Sequence, residues 1–482
     1  MLEDIVNERR KKLDLIRQAG LDPYPARVAR SMDIAEALGD FAKLSKAEKP
    51  VSLAGRLKSL RDQGKIIFAD IEDGGGKIQV VLKEDEVKDL AFWRSVLDMG
   101  DFISATGALF ETKRGEKSLA AKKLQMAAKS LLPLPDKWAG VEDEELRLRK
   151  RYLDLIATPE LRELFRKKTL FWETFRGAFK KEGFLEVETP TLEALPGGAE
   201  AEPFKTHHHA LDTDFYLRIS LELPLKRLLV GGFNKVFEIG RIFRNEGIDK
   251  EHLQDYTQLE FYWAYADYND AMALVEKTYK EVIKNTCGGM TTAYNGTKID
   301  WSKKWEKVDY VEAFKKATDM DPTAASREDL AKKAKALKLD PEKSLGKGRL
   351  IDLIYKKTVR PHLMEPCFLV DPPVEIEPLA KRRADNPKVV ERFQVMAGGT
   401  ELGKGFSELN DPQDQRARFE EQMRLREAGD REAQFLDEDF IEALEHGMPP
   451  AGGFGVSERL FAVLMDRPIR ECVFFPLMRA KK

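Results

Sequence analysis

The segment Phe243-Arg244-Asn245-Glu246-Gly247 closes one alternating run and leads, through a polar stretch with His252, into Tyr256-Thr257-Gln258-Leu259-Glu260-Phe261-Tyr262. Successive side chains of a strand point to opposite faces. Gln258, Glu260 and Tyr262 therefore form a polar face, and Thr257, Leu259, Phe261 and Trp263 a packing face. An arginine at the end of such a strand offers a planar fork that grips a phosphate or a carboxylate through two parallel hydrogen bonds. Taken alone, the pattern also suits a surface hairpin tied by salt bridges. The chain has no GxxxxGK[ST] loop and no GxGxxG after a strand, so any nucleotide has to be held by side chains. His207, His208 and His209 cannot converge on one metal ion, because neighbours on a strand face opposite ways. Cys287, Cys367 and Cys472 lie far apart without a CxxC pair and read as small core residues in a reducing, cytoplasmic setting.

Rigid elements must hold these groups. Leu161, Phe165, Trp172, Phe175 and Phe179 mark one face of a helix that stops at Glu182-Gly183. Beyond it, DFYLRIS, FNKVFEIGRIF and YTQLEFYWAY alternate as strands without regular helices between them, which predicts an antiparallel α+β domain. Asp321 to Lys347 reads as a helical insertion, within a region of about 300–350. Upstream, VSLAGRLKSL, KIIFADIED, KIQVVLKED and DFISATGALFETKR are short strand-like runs separated by turns, the pattern of a small β-barrel. The chain thus divides into an N-terminal helical extension (1–49), a barrel (50–135) and an α+β domain (136–482), with LLPLPDKWAG as linker. In the extension, Leu2, Ile5, Val6, Leu13 and Ile16 predict one apolar helix face.

The 81 Lys and Arg nearly balance 83 Asp and Glu, leaving a net charge of -2 that excludes histone-like binding to a polyanion. A local basic stripe is available instead, in Lys113, Arg114, Lys117, Lys122, Lys123 and Lys129. Nowhere do enough apolar residues run together for a membrane span, and the N-terminus lacks an apolar signal core.

Three segments occur in order: GFLEVETPTL, the hairpin above, and GGFGVSERL. They resemble motifs 1, 2 and 3 of class II aminoacyl-tRNA synthetases. LPGGAEAEPFKTHHHALDTDFYLRIS, LPLKRLLVGGF, DPPVEIEPLAK, GTELGKGFSELNDPQDQ and EKSLAAKKL are further similar to bacterial lysyl-tRNA synthetases, and the likeness runs over residues 1–482. HIGH and KMSKS, signatures of the other synthetase class, are missing. The resemblance implies an α+β catalytic domain built on a six- or seven-stranded antiparallel sheet flanked by helices, an N-terminal OB-fold barrel that binds the anticodon, and a homodimer formed through motif 1 around Pro190. Its expected ligands are ATP with Mg²⁺, L-lysine and tRNA(Lys), with neither membrane nor DNA as partner.

Roles follow from the same resemblance. Arg244 contacts the α-phosphate and the amino-acid carboxylate, and Arg459 the γ-phosphate. Glu246, His252 and Tyr256 contact adenosine and phosphate, Tyr256 by stacking where the family usually has Phe. Glu222 and the backbone of Gly198 take the lysine α-amino group, Glu408 and Tyr262 its ε-ammonium, and Glu260 adds negative charge. Glu401 binds Mg²⁺ and ATP with a partner that is usually Glu and here is Gln394. Lys404 replaces an Asn near the substrate carboxylate, where it either pairs with that carboxylate or swings outward; Glu377 replaces a Ser; and motif 3 is one residue short around Gly453 and Gly455. On the barrel, Phe68, Gln79 and Glu116 match the positions that read the central anticodon uridine, and Arg56 adds a phosphate contact. The competing readings are a catalytically impaired RNA-binding relative, motivated by Gln394, Lys404 and the short motif 3, and a protein lysyl-transferase, against which the barrel argues.

Overall fold

The computed structural model describes residues 2–134, 143–247, 252–341 and 345–479. Of the proposed linker at 131–140, residues 135–140, and with them the domain boundary at 135/136, lie outside the described residues. The chain forms two units, Met1–Glu142 and Asp143–Lys482.

In the first unit, five strands close into a barrel: β1 (Val51–Asp62), β2 (Ile66–Glu72), β3 (Lys77–Lys83), β4 (Phe102–Glu111) and β5 (Lys117–Ala128), in the order β1-β2-β3-β5-β4. Period-two alternation drives it: Ile67, Ala69 and Ile71 of β2 point inward against Ile78, Val80 and Leu82 of β3, while Phe68 and Asp70 point outward. The N-terminal helices share this core through Ile16, Ile34, Ala37 and Phe41. The first helix, Leu2–Gln18, differs from its expected face. Leu2 (58%) and Ile5 (40%) are exposed, and the buried stripe runs Arg9, Leu13, Ile16. Arg9 takes the place of an apolar anchor by donating to the carbonyls of Met99, Ser130 and Leu132. The basic stripe is also shorter than expected. Lys113, Arg114, Lys117, Lys122 and Lys123 are exposed, but Lys129 is buried between Asp98 and Asp101.

In the second unit, eight strands form one sheet, more than the resemblance implied. Their order is Glu306–Asp309, Cys367–Val370, Arg392–Ala397, Thr400–Ser407, Ala451–Ser457, Asp255–Ala264, Lys235–Phe243 and Leu185–Glu186. The central pairs are antiparallel; only the two end strands pair in parallel. One face is packed by Phe261, Phe393 and Phe454 against the helices Glu160–Lys181 and Tyr268–Cys287, through contacts such as Phe179 on Phe261 and Tyr279 on Phe454. The first helix ends at Glu182, followed by Gly183 in the left-handed region (φ 81°), a conformation that costs glycine little. The second opens on a capping box between Asp267 and Asp270. The insertion comprises the helices Tyr310–Thr318, Arg327–Ala336 and Lys347–Thr358 around a core of Tyr310, Phe314, Leu330 and Ile354. Cys367 and Cys472 are buried and Cys287 is half-buried.

Candidate active site

The sheet face turned away from the two long helices is polar and forms the floor of a cavity of about 710 Å³, within the usual size range of small-molecule sites. Every residue expected to bind ATP, lysine or metal lines this cavity. Strand register explains the convergence. Gln394, Lys404, Gly455 and Glu260 lie across four neighbouring strands in one transverse row, and Arg392, Phe406, Gly453 and Tyr262 in the next. In the short motif 3, the register puts Gly453 and Gly455 on the cavity face. Gly453 is sterically required, because a Cβ there would lie 2.2 Å from Glu408 Oε1 and 2.6 Å from the Tyr262 ring.

Three buried carboxylates, Glu222, Glu260 and Glu408, gather at one end. Glu260 is held by four donors: Ser220 Oγ (2.8 Å), the Leu221 amide (3.0 Å), Gln258 Nε2 (2.6 Å) and the Tyr262 hydroxyl (2.8 Å). Lys226, fully buried, donates to Glu222 Oε1 at 2.6 Å and pairs with Glu408 Oε2. Glu408 Oε1 has no hydrogen-bond partner among the described residues. Burial pushes the Glu222 carboxyl up to about 7, against the pull of Lys226 and with Glu260 adding to the rise. The Glu408 carboxyl is raised well above the usual range, again by burial first, with Lys226 opposing and Glu222 adding. Burial and these carboxylates also keep the Tyr262 hydroxyl protonated, a standing donor. Gly198, with φ 81°, passes so close to Glu222 and Ser220 that a Cβ would meet theirs at 2.9 and 3.0 Å.

Lys226 was not among the expected residues. A signal was present, since Glu222, Leu225, Lys226 and Leu229 recur at helical spacing, and all four are buried on the helix Glu222–Val230. A lysine on a buried stripe needs an anion.

At the next part of the cavity, Lys404 donates to Glu377 Oε2 at 2.7 Å, and Arg392 Nε lies 3.5 Å from the same oxygen. The two departures from the family pattern thus partner each other. Burial alone would raise the Glu377 carboxyl, but Lys404 and Arg392 outweigh it and hold it below the usual range. Gln394 donates its amide hydrogen to Glu401 Oε2. At the far end, Tyr256 is buried beside Arg244, whose guanidinium lies 5.7 Å from the ring centre and whose Nε donates to the Ile219 carbonyl. Arg459 opens the helix Arg459–Leu464, directly after Glu458. The buried Glu458 carboxylate accepts from the Thr257 amide (2.7 Å) and Lys168 (2.5 Å), tying motif 3 to motif 2.

The barrel carries a second candidate site. Phe68 and Gln79 share its outer surface; Phe68 is half-buried, and Gln79 is buried and accepts from Ser118 Oγ. Glu116 is exposed in the turn before β5. Arg56 does not join them. It stacks on Phe102, 4.2 Å from the ring centre, and its cross-strand partner Glu72 lies four residues beyond Phe68, a strand distance of about 13 Å. Arg61, which was not among the expected residues, is exposed and directly opposite Phe68.

Comparison with known families agrees with this architecture. The model of class II tRNA synthetases for D, K and N matches residues 143–479, and that of the OB-fold nucleic acid binding domain matches 51–127. Curated relatives named lysine–tRNA ligase include one from Moorella thermoacetica, 45% identical over 99% of this chain and 98% of that protein. Others come from Dehalococcoides mccartyi (44%; 100% and 99%) and Roseiflexus sp. (44%; 100% and 99%). The chain therefore belongs to the class II tRNA synthetases and, within them, to the lysine–tRNA ligase family.

Proposed function

We infer that this chain activates lysine with ATP and transfers it to tRNA(Lys). The observation that carries the reading is the cluster of Glu222, Glu260 and Glu408, buried where an uncharged amino-acid side chain would leave carboxylates unpaired. The free Oε1 of Glu408, beside the Tyr262 ring across Gly453, suits the ε-ammonium of the substrate. Glu222 and the Gly198 backbone suit its α-amino group. Arg244, Glu246, His252 and Tyr256 suit ATP, with adenine on the Tyr256 ring and the phosphates between Arg244 and Arg459. No protein nucleophile is needed. The lysine carboxylate displaces pyrophosphate from the α-phosphate to give lysyl-adenylate, and the terminal ribose hydroxyl of tRNA then displaces AMP. Positioning and charge neutralisation carry the rate.

Mg²⁺ fits the pair Glu401 and Gln394. Both are oxygen ligands on neighbouring strands, and a half-turn of the Gln394 amide presents its oxygen where its nitrogen now meets Glu401. Bound there, the ion would neutralise phosphate charge. Homodimer formation is proposed through motif 1, where exposed Leu185 (49%) and Leu192 (47%) flank Pro190 and the neighbouring Thr189 is pinned by Glu238. Among the described residues no helix is long and apolar enough to cross a membrane. A cytoplasmic location is proposed from the three unpaired cysteines.

ATP–pyrophosphate exchange with each of the twenty amino acids tests the reading. Lysine is expected to support exchange, and aspartate and asparagine are expected to give little or none. No exchange with lysine at high Mg²⁺ would overturn it in favour of a catalytically impaired relative.

A further inference from the structure

We propose that Lys226 determines specificity by setting the charge of the lysine pocket: its ammonium cancels one of three buried carboxylates, so that in their ionised form, the form that binds, two net negative charges remain for a substrate with two ammonium groups. This rests on lysine being the substrate. The count takes Lys226 and Glu222 from the helix Glu222–Val230, Glu260 from the motif 2 strand, and Glu408 from the segment after Thr400–Ser407; Glu377 also acts on Glu222 and Glu408, and the half-buried Glu193 on Glu260. Tyr262, also titratable, stays neutral. Beside them, Glu377, Lys404 and Arg392 sum to one net positive charge, the complement of a single carboxylate.

The geometry shows why the ammonium is fixed rather than exchangeable. Lys226 is sealed from solvent, with its Nζ 5.2 Å from the Phe406 ring centre, 5.9 Å from that of Phe440 and 6.0 Å from that of Tyr262. It engages one oxygen of Glu222 and one of Glu408, leaving Glu408 Oε1 for a ligand. Without Lys226, three carboxylates would crowd one buried pocket, and at least one would take up a proton and cease to bind an ammonium. Lysine binding needs the ionised carboxylates. Affinity should therefore rise as increasing pH ionises Glu222, which burial pushes up to about 7, and Glu408, which burial likewise raises, and fall away below that. Removing Lys226 withdraws the influence that lowers both Glu222 and Glu408, so the transition must move to higher pH.

The test measures KM for lysine and for ATP in pyrophosphate exchange, from about pH 6 to pH 8, on the full-length protein. Wild type is compared with Lys226→Met, Glu222→Gln and the double variant. Lys226→Met should raise the lysine KM severalfold at neutral pH, shift its pH dependence upward and leave the ATP KM nearly unchanged. Glu222→Gln should cost lysine affinity in wild type and cost less, or nothing, in the Lys226→Met background, because the double variant restores the charge balance. An unmoved lysine KM, equal losses for lysine and ATP, or additive losses in the double variant would overturn the proposal. Should Lys226→Met alone not fold, the double variant decides: folded and lysine-activating, it supports the charge count; unfolded, it makes Lys226 a structural residue. Wild-type protein that fails to activate lysine would sink the substrate assignment, whereas lysine activation indifferent to residue 226 sinks only this inference.

Discussion

Two lysines of this chain are buried between two carboxylates each, and their surroundings differ in one respect. In the barrel unit, Lys129 spends all three ammonium hydrogens, on the Val96 carbonyl (2.8 Å), Asp98 (2.6 Å) and Asp101 (2.9 Å). Its carboxylates are equally engaged, since Asp101 also accepts from the amides of Asp98 and Ser130, and Asp98 from Lys12. In the catalytic unit, Lys226 meets aromatic rings on its open side, and its partner Glu408 keeps an oxygen unpartnered among the described residues. The electrostatic consequences diverge only in part, since at Asp101 burial outweighs Lys129 and the carboxyl rises. At Asp98 burial is outweighed by Lys12 and Lys129, and the carboxyl falls below its usual range. At Glu222 and Glu408 burial wins and both rise. A saturated buried ion pair is built to hold a fold, and an unsaturated one has capacity left for a ligand.

The largest expected effect tests the saturated member. Lys129→Met strands Asp101 without its cation, and breaking a buried pair by removing one partner costs about 3–5 kcal/mol. The loss should appear as early thermal unfolding of the barrel, seen by hydrogen exchange over residues 51–128. Lysine-dependent pyrophosphate exchange, which needs no tRNA, should persist. If exchange fell in step with barrel stability, the division into a structural and a ligand-binding lysine would fail.

The same contrast explains what could be read from the sequence. Local periodicity located the barrel strands, the helix ending at Glu182 and the polar face of Gln258, Glu260 and Tyr262, because each depends on neighbours a few residues away. Family motifs then supplied residues from distant segments, and strand register brings them to one cavity. Pairings between long-separated residues were not legible. Lys226 with Glu408 and Lys404 with Glu377 depend on which strand neighbours which, and Lys129 looked like a surface base until Asp98 and Asp101 closed on it.

Phe68 offers an intermediate effect, on a surface with no buried charge to satisfy. It is half-buried on the outward face of β2, opposite Arg61 and Val81, so its ring is free to stack an unpaired base. Phe68→Ala should weaken tRNA binding by about 1–3 kcal/mol, measured by filter binding or fluorescence titration, with pyrophosphate exchange and melting temperature close to wild type. A lowered melting temperature would instead place Phe68 among the residues that hold the barrel together.

The smallest effect belongs to Tyr262, which sharpens the comparison inside the pocket by removing a neutral group from the charged cluster. Its hydroxyl donates to Glu260 Oε2, while the other three donors, Ser220, the Leu221 amide and Gln258, all converge on Oε1. Tyr262→Phe therefore deprives one carboxylate oxygen of a neutral hydrogen bond, worth about 0.5–1.5 kcal/mol, without altering the charge count. The lysine KM should rise by roughly twofold to tenfold, converting that energy at about 1.4 kcal/mol per decade, with the ATP KM and the pH dependence of lysine activation unmoved. That last readout separates it from Lys226→Met, which changes a charge and should displace the pH profile. A Tyr262→Phe protein whose profile moved as far as that of Lys226→Met would mean that hydrogen bonding to Glu260, rather than the balance of buried charges, sets when the pocket accepts its ammonium groups.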